Sequence, residues 1–293
     1  MTDQKRPLSG RTAVVTGAAR GLGKSIAEEL AARGVNVALL GLEEDALVKV
    51  ATELPTDSRC WTVDITDDAA MARVAEEVPR LMGPVSIVVA NAGVAEAGPF
   101  LDSDAASWRR VIEVNLVGSA VTERSFMPHL LDTRGHYLQI ASLASVGAVP
   151  MMSAYCASKA GVESLAHSLR AEMTHCGVSV GIAYLNWIDT DMIRDADCYS
   201  VMQEIRRHMP RPARTTRSAD HMARRVVASV ERRASSVYVP GWLRSIQAVR
   251  AGLPGVITWV SRRELTHSRY RATGLLGVGG RAARASGGFR DRD

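Results

Sequence analysis

Short apolar segments alternate with amphipathic segments along most of this 293-residue chain, and this alternation restricts the fold more than any other feature. The apolar segments are rich in aliphatic residues, as buried parallel strands are, and the segments between them place apolar residues at helical spacing. The predicted strands lie at 11–17, 35–41, 59–66, 85–93, 136–142, 178–185 and 235–241. The predicted helices include 21–34, 43–54, 68–83, 104–131 and 153–175. This pattern predicts an α/β fold with a doubly wound, seven-stranded parallel sheet flanked by helices, in which ligands bind beyond the carboxyl ends of the strands.

The loop after the first predicted strand is rich in glycine and has the sequence "TGAARGLG". Gly17, Gly21 and Gly23 follow a G-x-x-x-G-x-G spacing, which is a variant of the dinucleotide fingerprint. Glycine permits a tight turn and a close approach of backbone to a pyrophosphate, while the next helix N-terminus supplies amide donors. The loop therefore predicts a nucleotide site, with a tight turn that binds no ligand as the alternative.

Tyr155 and Lys159 stand four residues apart in "SAYCASKAGVESL", within a predicted helix. Residues at this spacing share one face of a helix. A cation beside a phenol favours the phenolate and lowers the phenol pKa from its ordinary value of about 10, which would suit the tyrosine to acid–base catalysis. Taken alone, the pair is also compatible with two surface side chains.

Six sequence elements together resemble the short-chain dehydrogenase/reductase family, in order and in spacing, over about residues 9–241. They are "TGAARGLG" at 16–23, "DIT" at 64–66, "NAG" at 91–93, Asn115 in "VIEVNLVG", Ser142 in "IASLAS" and "YCASK" at 155–159. The resemblance implies a Rossmann-type fold and an NAD(P)-dependent oxidoreductase that interconverts a secondary alcohol and a ketone by hydride transfer. A nucleotide-binding sensor or scaffold with little turnover, and an epimerase or dehydratase, are the alternatives on the same fold.

The resemblance also implies roles for individual residues. Tyr155 would exchange the proton, Ser142 would bond the substrate oxygen, Lys159 would also hold the nicotinamide ribose, and Asn115 would support a water that links Lys159 to solvent. The implied catalytic residues are Asn115, Ser142, Tyr155 and Lys159. The implied cofactor-binding residues are Gly17, Arg20, Gly21, Leu22, Gly23, Asp64, Ile65, Asn91, Ala92, Gly93, Tyr155, Lys159 and Thr190.

Three of the cofactor residues have specific expected contacts. Asp64 would accept a hydrogen bond from the adenine amino group, beside Ile65. Asn91 would mainly brace the central strands, and Thr190 would bond the nicotinamide carboxamide.

The choice between NAD and NADP depends on the tip of the second strand. An acid there would select NAD by bonding both ribose hydroxyls, but Gly41 and Leu42 occupy the two informative positions. Arg20 in the glycine loop would suit the 2′-phosphate of NADP, whereas Glu43 could oppose it. Charge complementarity therefore favours NADP, with NAD as the alternative.

The segment after the sixth strand departs from the family pattern, because Asn186 and Trp187 stand where Pro-Gly is usual. Trp187 would either narrow the pocket or pack beneath the segment that follows. Residues 191–214 take the place of the family's mobile substrate lid. The apolar side chains expected at the substrate are Val149, Pro150, Met151, Met152, Met192, Ile193, Tyr199, Met202 and Met209. They indicate an apolar small-molecule ketone or alcohol, unless the methionines simply fill gaps in the core.

The C-terminal part of the chain carries its charge imbalance. Lys and Arg number 36 against 31 Asp and Glu, and the whole excess lies in residues 262–293, so nucleic acid is not an expected partner of the body. We expect a catalytic domain at 1–241, an amphipathic helical extension at 242–270 and a disordered basic tail at 271–293. The extension would pack on the body or on a second subunit, or would contact an anionic membrane surface.

The remaining expectations concern metals, location and assembly. The four cysteines are widely separated and form no cluster with histidine, so neither a metal site nor a disulfide framework is expected. No apolar run is long enough to span a membrane. We expect a cytoplasmic protein, with membrane association through 242–270 as the alternative, and the resemblance implies a homodimer or homotetramer.

Overall fold

The structure, a computed structural model, describes residues 8–147, 149–264 and 272–277. Its strands are β1 (Thr12–Thr16), β2 (Asn36–Gly41), β3 (Ser58–Thr62), β4 (Val85–Ala90), β5 (His136–Ser142), β6 (Ser179–Leu185), β7 (Ile188–Asp189), β8 (Arg217–Ser218) and β9 (Ser236–Val239). Seven of them form a parallel sheet in the order β3-β2-β1-β4-β5-β6-β9. All seven predicted strands and the doubly wound topology are confirmed, whereas the short parallel pair β7–β8 has no counterpart in the sequence prediction.

Helices cover both faces of the sheet. They are α1 (Gly21–Ala31), α2 (Glu44–Glu53), α3 (Asp68–Met82), α4 (Ala105–Ile112), α5 (Gly118–Thr133), α6 (Ser153–Met173), α7 (Asp191–Ala196), α8 (Ser200–His208), α9 (Arg211–Arg214), α10 (Ala219–Glu231), α11 (Leu243–Ala248) and α12 (Leu253–Glu264). One apolar cluster joins α1, α2 and α10 to one face, and a second joins α3, α4, α5 and α6 to the other. Consecutive strand residues enter different clusters, as Val14 and Val15 do, because strand side chains alternate between faces.

The strand order places the functional cleft. β1 lies between β2 and β4, so the chain builds the sheet outward in one direction and then in the other from this point. Loops after neighbouring strands diverge at such a switch point and leave a crevice at the carboxyl ends of the strands. The loops after β1 and β4 are the glycine loop and the "NAG" segment.

The helix predicted at 104–131 is interrupted. A π-helical turn, Glu113–Val117, lies between α4 and α5 and contains Asn115. Inside this turn the Asn115 side chain bonds to the backbone of Val94 instead of pointing to solvent. Turns of this kind occur often at functional sites, and apolar periodicity gives no signal for them.

The C-terminal extension packs on the body through part of its surface. Trp242, Ile246 and Leu253 contact the core on the α6 side of the sheet. Val256 and Trp259 of α12 are about 60% exposed. No helix in the described part of the chain combines the length and apolar character needed to cross a membrane.

A buried carboxylate ties the extension to α6. Glu163 Oε1 accepts hydrogen bonds from Gln247 Nε2 at 2.7 Å and Arg250 Nη1 at 2.8 Å. Tyr184 of β6 donates to the same oxygen at 2.8 Å. The extension therefore contacts the helix that carries Tyr155 and Lys159.

Residues 272–277, which we call the tail segment, also contact the body. Leu276 pairs with Ala95 in an antiparallel bridge, and Thr273 bonds to Ala97. These residues belong to the region for which the sequence predicts disorder, but here the Ala95–Ala97 backbone supplies their hydrogen-bond partners. The rest of that region, residues 271 and 278–293, lies outside the described residues.

Candidate active site and dinucleotide cleft

The glycine loop fits closely against the segment that follows β4. Gly17 has φ +65°, and a Cβ there would lie 2.8 Å from Ala92 Cα. A Cβ on Gly23 would lie 2.1 Å from the Gly17 carbonyl oxygen and 2.6 Å from Asn91 Nδ2. A Cβ on Gly21, at φ +54°, would lie 3.1 Å from Thr190 Cγ2. The loop has this shape only because its glycines lack side chains.

Asn91 joins the end of β4 to the end of β1, which is the bracing role that the family resemblance implies. Its Nδ2 donates to the Thr16 carbonyl at 2.9 Å, and its backbone N–H donates to Thr16 Oγ1 at 3.0 Å. The Ala92 N–H shares the same hydroxyl at 3.1 Å. Thr16, which the sequence analysis does not single out, therefore holds the two loops in register.

Asn115 lies behind the cleft and does not line it. Its side chain is fully buried, with Oδ1 accepting from the Val94 N–H at 2.8 Å and Nδ2 donating to the Val94 carbonyl at 2.9 Å and to Ser158 Oγ at 2.9 Å. A Cβ on Gly93 would lie 3.1 Å from Asn115 Oδ1 and 3.6 Å from Lys159 Nζ. Asn115 thus joins the "NAG" loop to α6 next to the lysine.

Lys159 is buried in the cleft wall and is not a surface residue. The side chain is 4% exposed, and Nζ donates to the Ile140 carbonyl at 3.3 Å. Removal from water lowers the pKa of Lys159 to about 8. Nζ lies 5.8 Å from the centre of the Tyr155 ring. The helix therefore places the two residues together, as the four-residue spacing predicts.

Tyr155 is half-buried beside Ser142. Burial raises the pKa of the Tyr155 phenol, and the hydrogen bond with the Ser142 hydroxyl acts in the opposite direction. The sequence argument expects the lysine charge to lower this pKa, so the net direction in the structure is the reverse of the expectation. The physical reason is that the phenol, like the lysine, is removed from water, which disfavours its charged form. Ser142 is itself held by its neighbours, since its hydroxyl accepts from the Ala144 N–H at 3.2 Å.

The predicted adenine end contains an ion pair that the sequence analysis does not anticipate. Arg110 Nη2 lies 2.5 Å from Asp64 Oδ2, and its Nη1 donates to Thr66 Oγ1 at 3.1 Å. Burial pushes the pKa of Asp64 upward, but hydrogen bonds from Thr66 and the Arg110 charge together hold it below its usual value. Asp64 is therefore an ionised acceptor, and Ile65 beside it is buried.

Arg20 has two partners inside the cleft. Its guanidinium lies 2.9 Å from Glu43 Oε1 and donates to the Gly277 carbonyl at 2.9 Å. The charge that the sequence analysis reserves for a 2′-phosphate is therefore already paired with a carboxylate.

The predicted substrate end of the cleft is lined by the segment after β6. Trp187 lines the cleft and donates from Nε1 to Met209 Sδ at 3.3 Å, while the Arg206 guanidinium stacks 4.8 Å from its ring centre. Asn186 donates to the Ala213 carbonyl at 3.1 Å. Trp187 thus lines the cleft and also packs against α8, through the Arg206 guanidinium and the apolar cluster that contains Met202.

The structure brings nearly all predicted site residues to one cleft. Those that line it are Gly17, Arg20, Gly21, Leu22, Gly23, Asp64, Ile65, Asn91, Ala92, Gly93, Ser142, Tyr155, Lys159 and Thr190. The apolar lining residues include Val149, Met152, Met192, Ile193, Met202 and Met209. The sequence analysis misses Arg110, Leu276 and Gly277, which also line the cleft and come from a helix interior and from the tail. Arg110 belongs to no sequence motif, so nothing in the sequence marks it as a cleft residue. The glycine-rich composition around Leu276 and Gly277 indicates disorder, which is the opposite of a place in the cleft wall.

Comparisons with known proteins agree with this geometry. The family model of the short chain dehydrogenases matches residues 11–198. The 2-dehydro-3-deoxy-L-rhamnonate dehydrogenase (NAD(+)) of a Sphingomonas species is 37% identical over 172 residues, covering 58% of this chain and 69% of that protein. The meso-2,3-butanediol dehydrogenase of Serratia marcescens is 30% identical over 183 residues, covering 62% of this chain and 73% of that protein.

A solved structure gives the same result for the fold. The crystal structure of a short chain dehydrogenase/reductase from Burkholderia phymatum in complex with NAD has a TM-score of 0.74 and 25% sequence identity. The alignment covers 84% of this chain and 95% of that one.

Proposed function

The chain belongs to the short-chain dehydrogenase family and is an NAD(P)-dependent oxidoreductase, and from this premise we propose that it interconverts a secondary alcohol and a ketone on an apolar substrate. The observation that carries the proposal is the group formed by Tyr155, Ser142 and the buried Lys159 at one wall of the cleft. A phenol next to a hydroxyl on the same cleft wall, beside a buried ammonium, is suited to exchanging a proton with a substrate oxygen.

The residues present fit a dinucleotide. The glycine loop forms a cradle that a Cβ on Gly17 or Gly23 would fill, and α1, which begins at Gly21 in this loop, supplies the backbone N–H donors of a helix N-terminus. Lys159 bonds to one carbonyl and, among the described residues, to no carboxylate, so it has donors left for ribose hydroxyls. Asp64 would face the adenine and Thr190 the nicotinamide. A bound nicotinamide supplies the hydride acceptor or donor.

The chain's own residues handle the proton. In the oxidation direction Tyr155, as the phenolate, takes the hydroxyl proton while the substrate carbon gives up its hydride. In the reduction direction the Tyr155 phenol returns the proton to the substrate oxygen. The Ser142 hydroxyl would form hydrogen bonds with the substrate oxygen and with the Tyr155 phenol, and these bonds would orient the two groups toward each other. Lys159, when protonated, stabilises the phenolate against the effect of burial. Asn115 positions Lys159 and Gly93 from behind the cleft.

Replacing Tyr155 tests the proposal. Tyr155→Phe should lower turnover of alcohols by about a thousandfold, since it removes the acid–base group, with the dinucleotide dissociation constant unchanged within about twofold. Tyr238→Phe is the matched control, because Tyr238 stacks on Tyr184 away from the cleft. Unchanged turnover in Tyr155→Phe would contradict the proposal and favour a sensor or scaffold. Product formation without net change in cofactor oxidation would favour an epimerase or dehydratase.

The cofactor preference is best tested at Glu43. The sequence analysis favours NADP on the strength of Arg20, but the Arg20–Glu43 pair supports NAD instead, because a 2′-phosphate would meet the Glu43 carboxylate. The Sphingomonas relative, which is named as an NAD(+)-dependent dehydrogenase, also supports NAD. We propose NAD and expect Glu43→Gln to shift the NADPH-to-NADH affinity ratio toward NADPH by about tenfold, read by cofactor fluorescence. Tighter binding of NADPH to the natural protein would support NADP.

An apolar substrate is supported by the lining of the cleft. Met152, Met192, Met202 and Met209 with Trp187 offer few polar partners. Both relatives are named for polar substrates, a rhamnonate derivative and a butanediol. A side-by-side assay of apolar secondary alcohols, hydroxy acids and diols, all measured in the oxidation direction, therefore decides the substrate class. Faster turnover of a hydroxy acid or a diol than of any apolar alcohol would overturn this part of the proposal.

Domain limits and assembly are also proposals. We propose a catalytic unit of residues 1–241 with an extension at 242–270. We also propose that the chain forms a homodimer or homotetramer, and light scattering on the purified chain would measure the mass of that assembly.

The exposed side chains of Val256 and Trp259, with Arg262 near them in sequence, support a peripheral contact of the extension with an anionic membrane surface. Trp259→Ser should therefore weaken co-sedimentation of the protein with anionic vesicles.

A further inference from the structure

The tail segment is attached to the catalytic unit by a ladder of hydrogen bonds. The Leu276 N–H donates to the Ala95 carbonyl at 2.7 Å, and the Ala95 N–H donates back to the Leu276 carbonyl at 3.0 Å. The Thr273 N–H donates to the Ala97 carbonyl at 2.7 Å, and Thr273 Oγ1 accepts from the Ala97 N–H at 3.0 Å. Ala97 and Thr273 are 176 positions apart in sequence, yet they are paired shortly after the "NAG" loop.

Small residues permit this close contact. A Cβ on Gly98 would lie 2.5 Å from Ala272 Cα, and one on Gly277 would lie 2.3 Å from Met192 Cε. Gly277 also has φ +90°, which favours glycine. The tail segment therefore lies between the "NAG" side of the cleft and α7.

Leu276 points into the substrate end of the cleft. It is 3% exposed and belongs to an apolar cluster with Met152, Met202 and Ala196, against which Tyr155 also packs. Leu276 lines the cleft itself. Its neighbour Leu275 packs against a different cluster, on the α3–α6 side of the sheet, and does not line the cleft.

The tail segment also reaches the dinucleotide end. The Gly277 carbonyl accepts from Arg20 of the glycine loop at 2.9 Å, and a Cβ on Gly277 would lie 3.5 Å from the Gly93 carbonyl oxygen. One short stretch of chain thus contacts both the loop assigned to the cofactor and the side chains assigned to the substrate.

We propose that the tail segment forms one wall of the substrate site and that Leu276 is a residue that determines substrate size. The inference rests on the proposed function for the identity of the substrate as an apolar ketone or alcohol. Leu276 limits how far an apolar group can extend from the carbonyl held at Tyr155, and shortening this side chain lengthens the site.

The test compares Leu276→Ala with Leu275→Ala in the full chain. Methyl ketones of increasing chain length, from butanone to decanone, are assayed with NADH and NADPH. In Leu276→Ala the ratio of kcat/KM for decanone to that for butanone should rise by at least about tenfold. The reason is that the end of the longer ketone can then occupy the space that the leucine side chain filled. Leu275→Ala should leave that ratio within about twofold of the natural protein, and equal ratios in the two variants would overturn the inference.

A binding readout separates this inference from the proposed function. If the natural protein reduces no ketone, the proposed function fails. The inference is then tested by binding, measured as the quenching of Trp187 fluorescence by the same ketones. Trp187→Phe identifies which part of the fluorescence comes from Trp187. Affinity for decanone that rises in Leu276→Ala alone supports it, and identical affinities in both leucine variants overturn it.

Hydrogen exchange tests the wall directly. The amides of Ala95 and Ala97 should be protected in the full chain, since their acceptors lie in the tail segment. In the full-length variant Thr273→Val, which lacks the acceptor hydroxyl, the Ala97 amide should exchange at least about tenfold faster. An Ala97 amide that exchanges at the same rate in both proteins would show that the tail segment is not held there, and would overturn the inference.

Discussion

At the proposed dinucleotide end of the cleft, the backbone at Gly17 and Gly23 lies directly against other backbone atoms, whereas the walls of the proposed substrate end are long side chains. We call the first region, with Gly17, Gly21, Gly23 and Gly93, the glycine end. We call the second the methionine end, which consists of Met152, Met192, Met202, Met209, Trp187 and Leu276. An added Cβ at Gly23 would meet a carbonyl oxygen at 2.1 Å, while the nearest obstacle to one at Gly277 is the tip of a methionine.

This difference shows how one family can keep a cofactor and change its substrate. Backbone cannot move aside for an added atom without moving the strand or helix that it belongs to, so the glycine end tolerates little change. Methionine side chains adopt many shapes at small cost, so the methionine end can be rebuilt around another ligand. The predictions that follow test whether the two ends respond as differently as their construction implies.

The largest effect is expected at Gly23. Gly23→Ala should lower the free energy of unfolding by about 3 kcal/mol, because the new methyl group forces backbone apart. Dinucleotide affinity should fall at least about tenfold with it, since the loop that forms the cradle must move. Gly255→Ala is the control: its Cβ meets nothing within 4 Å, and alanine in a helix should stabilise the chain by up to about 1 kcal/mol. Similar urea midpoints for the two variants would show that the glycine end is not rigid.

The next effect concerns the buried charge between the two ends. Burial lowers the pKa of Lys159 from 10.5 to about 8. At a pH where the lysine is charged in both the folded and the unfolded chain, this shift lowers the free energy of unfolding by at most about 3 kcal/mol. Lys159→Met removes this cost, so the variant should be more stable at neutral pH and nearly inactive. Above pH 8 the folded natural protein sheds the proton that the unfolded chain keeps until about 10.5, so the natural protein gains stability and the difference shrinks.

Urea denaturation across that pH range, without added cofactor, measures the prediction. Lys49→Met is the matched control, because Lys49 is exposed on α2 and its removal takes the same charge from the surface of the protein instead of from the cleft. A constant gap between Lys159→Met and the natural protein over the whole range would contradict the pKa of about 8.

A moderate effect is expected at Trp187 in the methionine end. Trp187→Phe removes the bond to Met209 and reduces stacking with Arg206, so stability should fall by about 1 kcal/mol. KM for a bulky ketone should change by up to about tenfold while the dinucleotide dissociation constant stays the same. Trp61→Phe, at the far edge of the sheet, should change neither constant. A loss of cofactor affinity in Trp187→Phe would show that the two ends are mechanically coupled.

The smallest effect is expected at Met192. Met192→Leu keeps volume and apolar character, so the free energy of unfolding should change by less than about 1 kcal/mol, with a change in ketone preference and none in dinucleotide affinity. Urea denaturation measures the free energy of unfolding, and isothermal titration with NADH and with the ketone series measures the two binding preferences. A loss of stability as large as that of Gly23→Ala would remove the distinction between the two ends.

Much of the glycine end could be predicted from the sequence, and little of the methionine end could. Gly17, Gly23 and Asn91 lie in local motifs whose spacing reflects contacts made within a few residues of a strand end, so the pattern indicates both their place and their neighbours. The pair Tyr155 and Lys159 is similar, since one helical turn joins them. Arg110 pairs with Asp64 across the fold, and no local pattern indicates this contact.

The sequence by itself determined the sheet, its order of strands and helices, and the cleft at the carboxyl ends, because these depend on periodicity and on glycines at fixed places. Only the tertiary structure decided that the pKa of Tyr155 rises, that Arg20 is already paired with Glu43, and that Leu276 lines the cleft. The physical reason is that burial and ion pairing depend on how much of the chain surrounds a group. That surrounding comes from segments far apart in sequence, which no local pattern records.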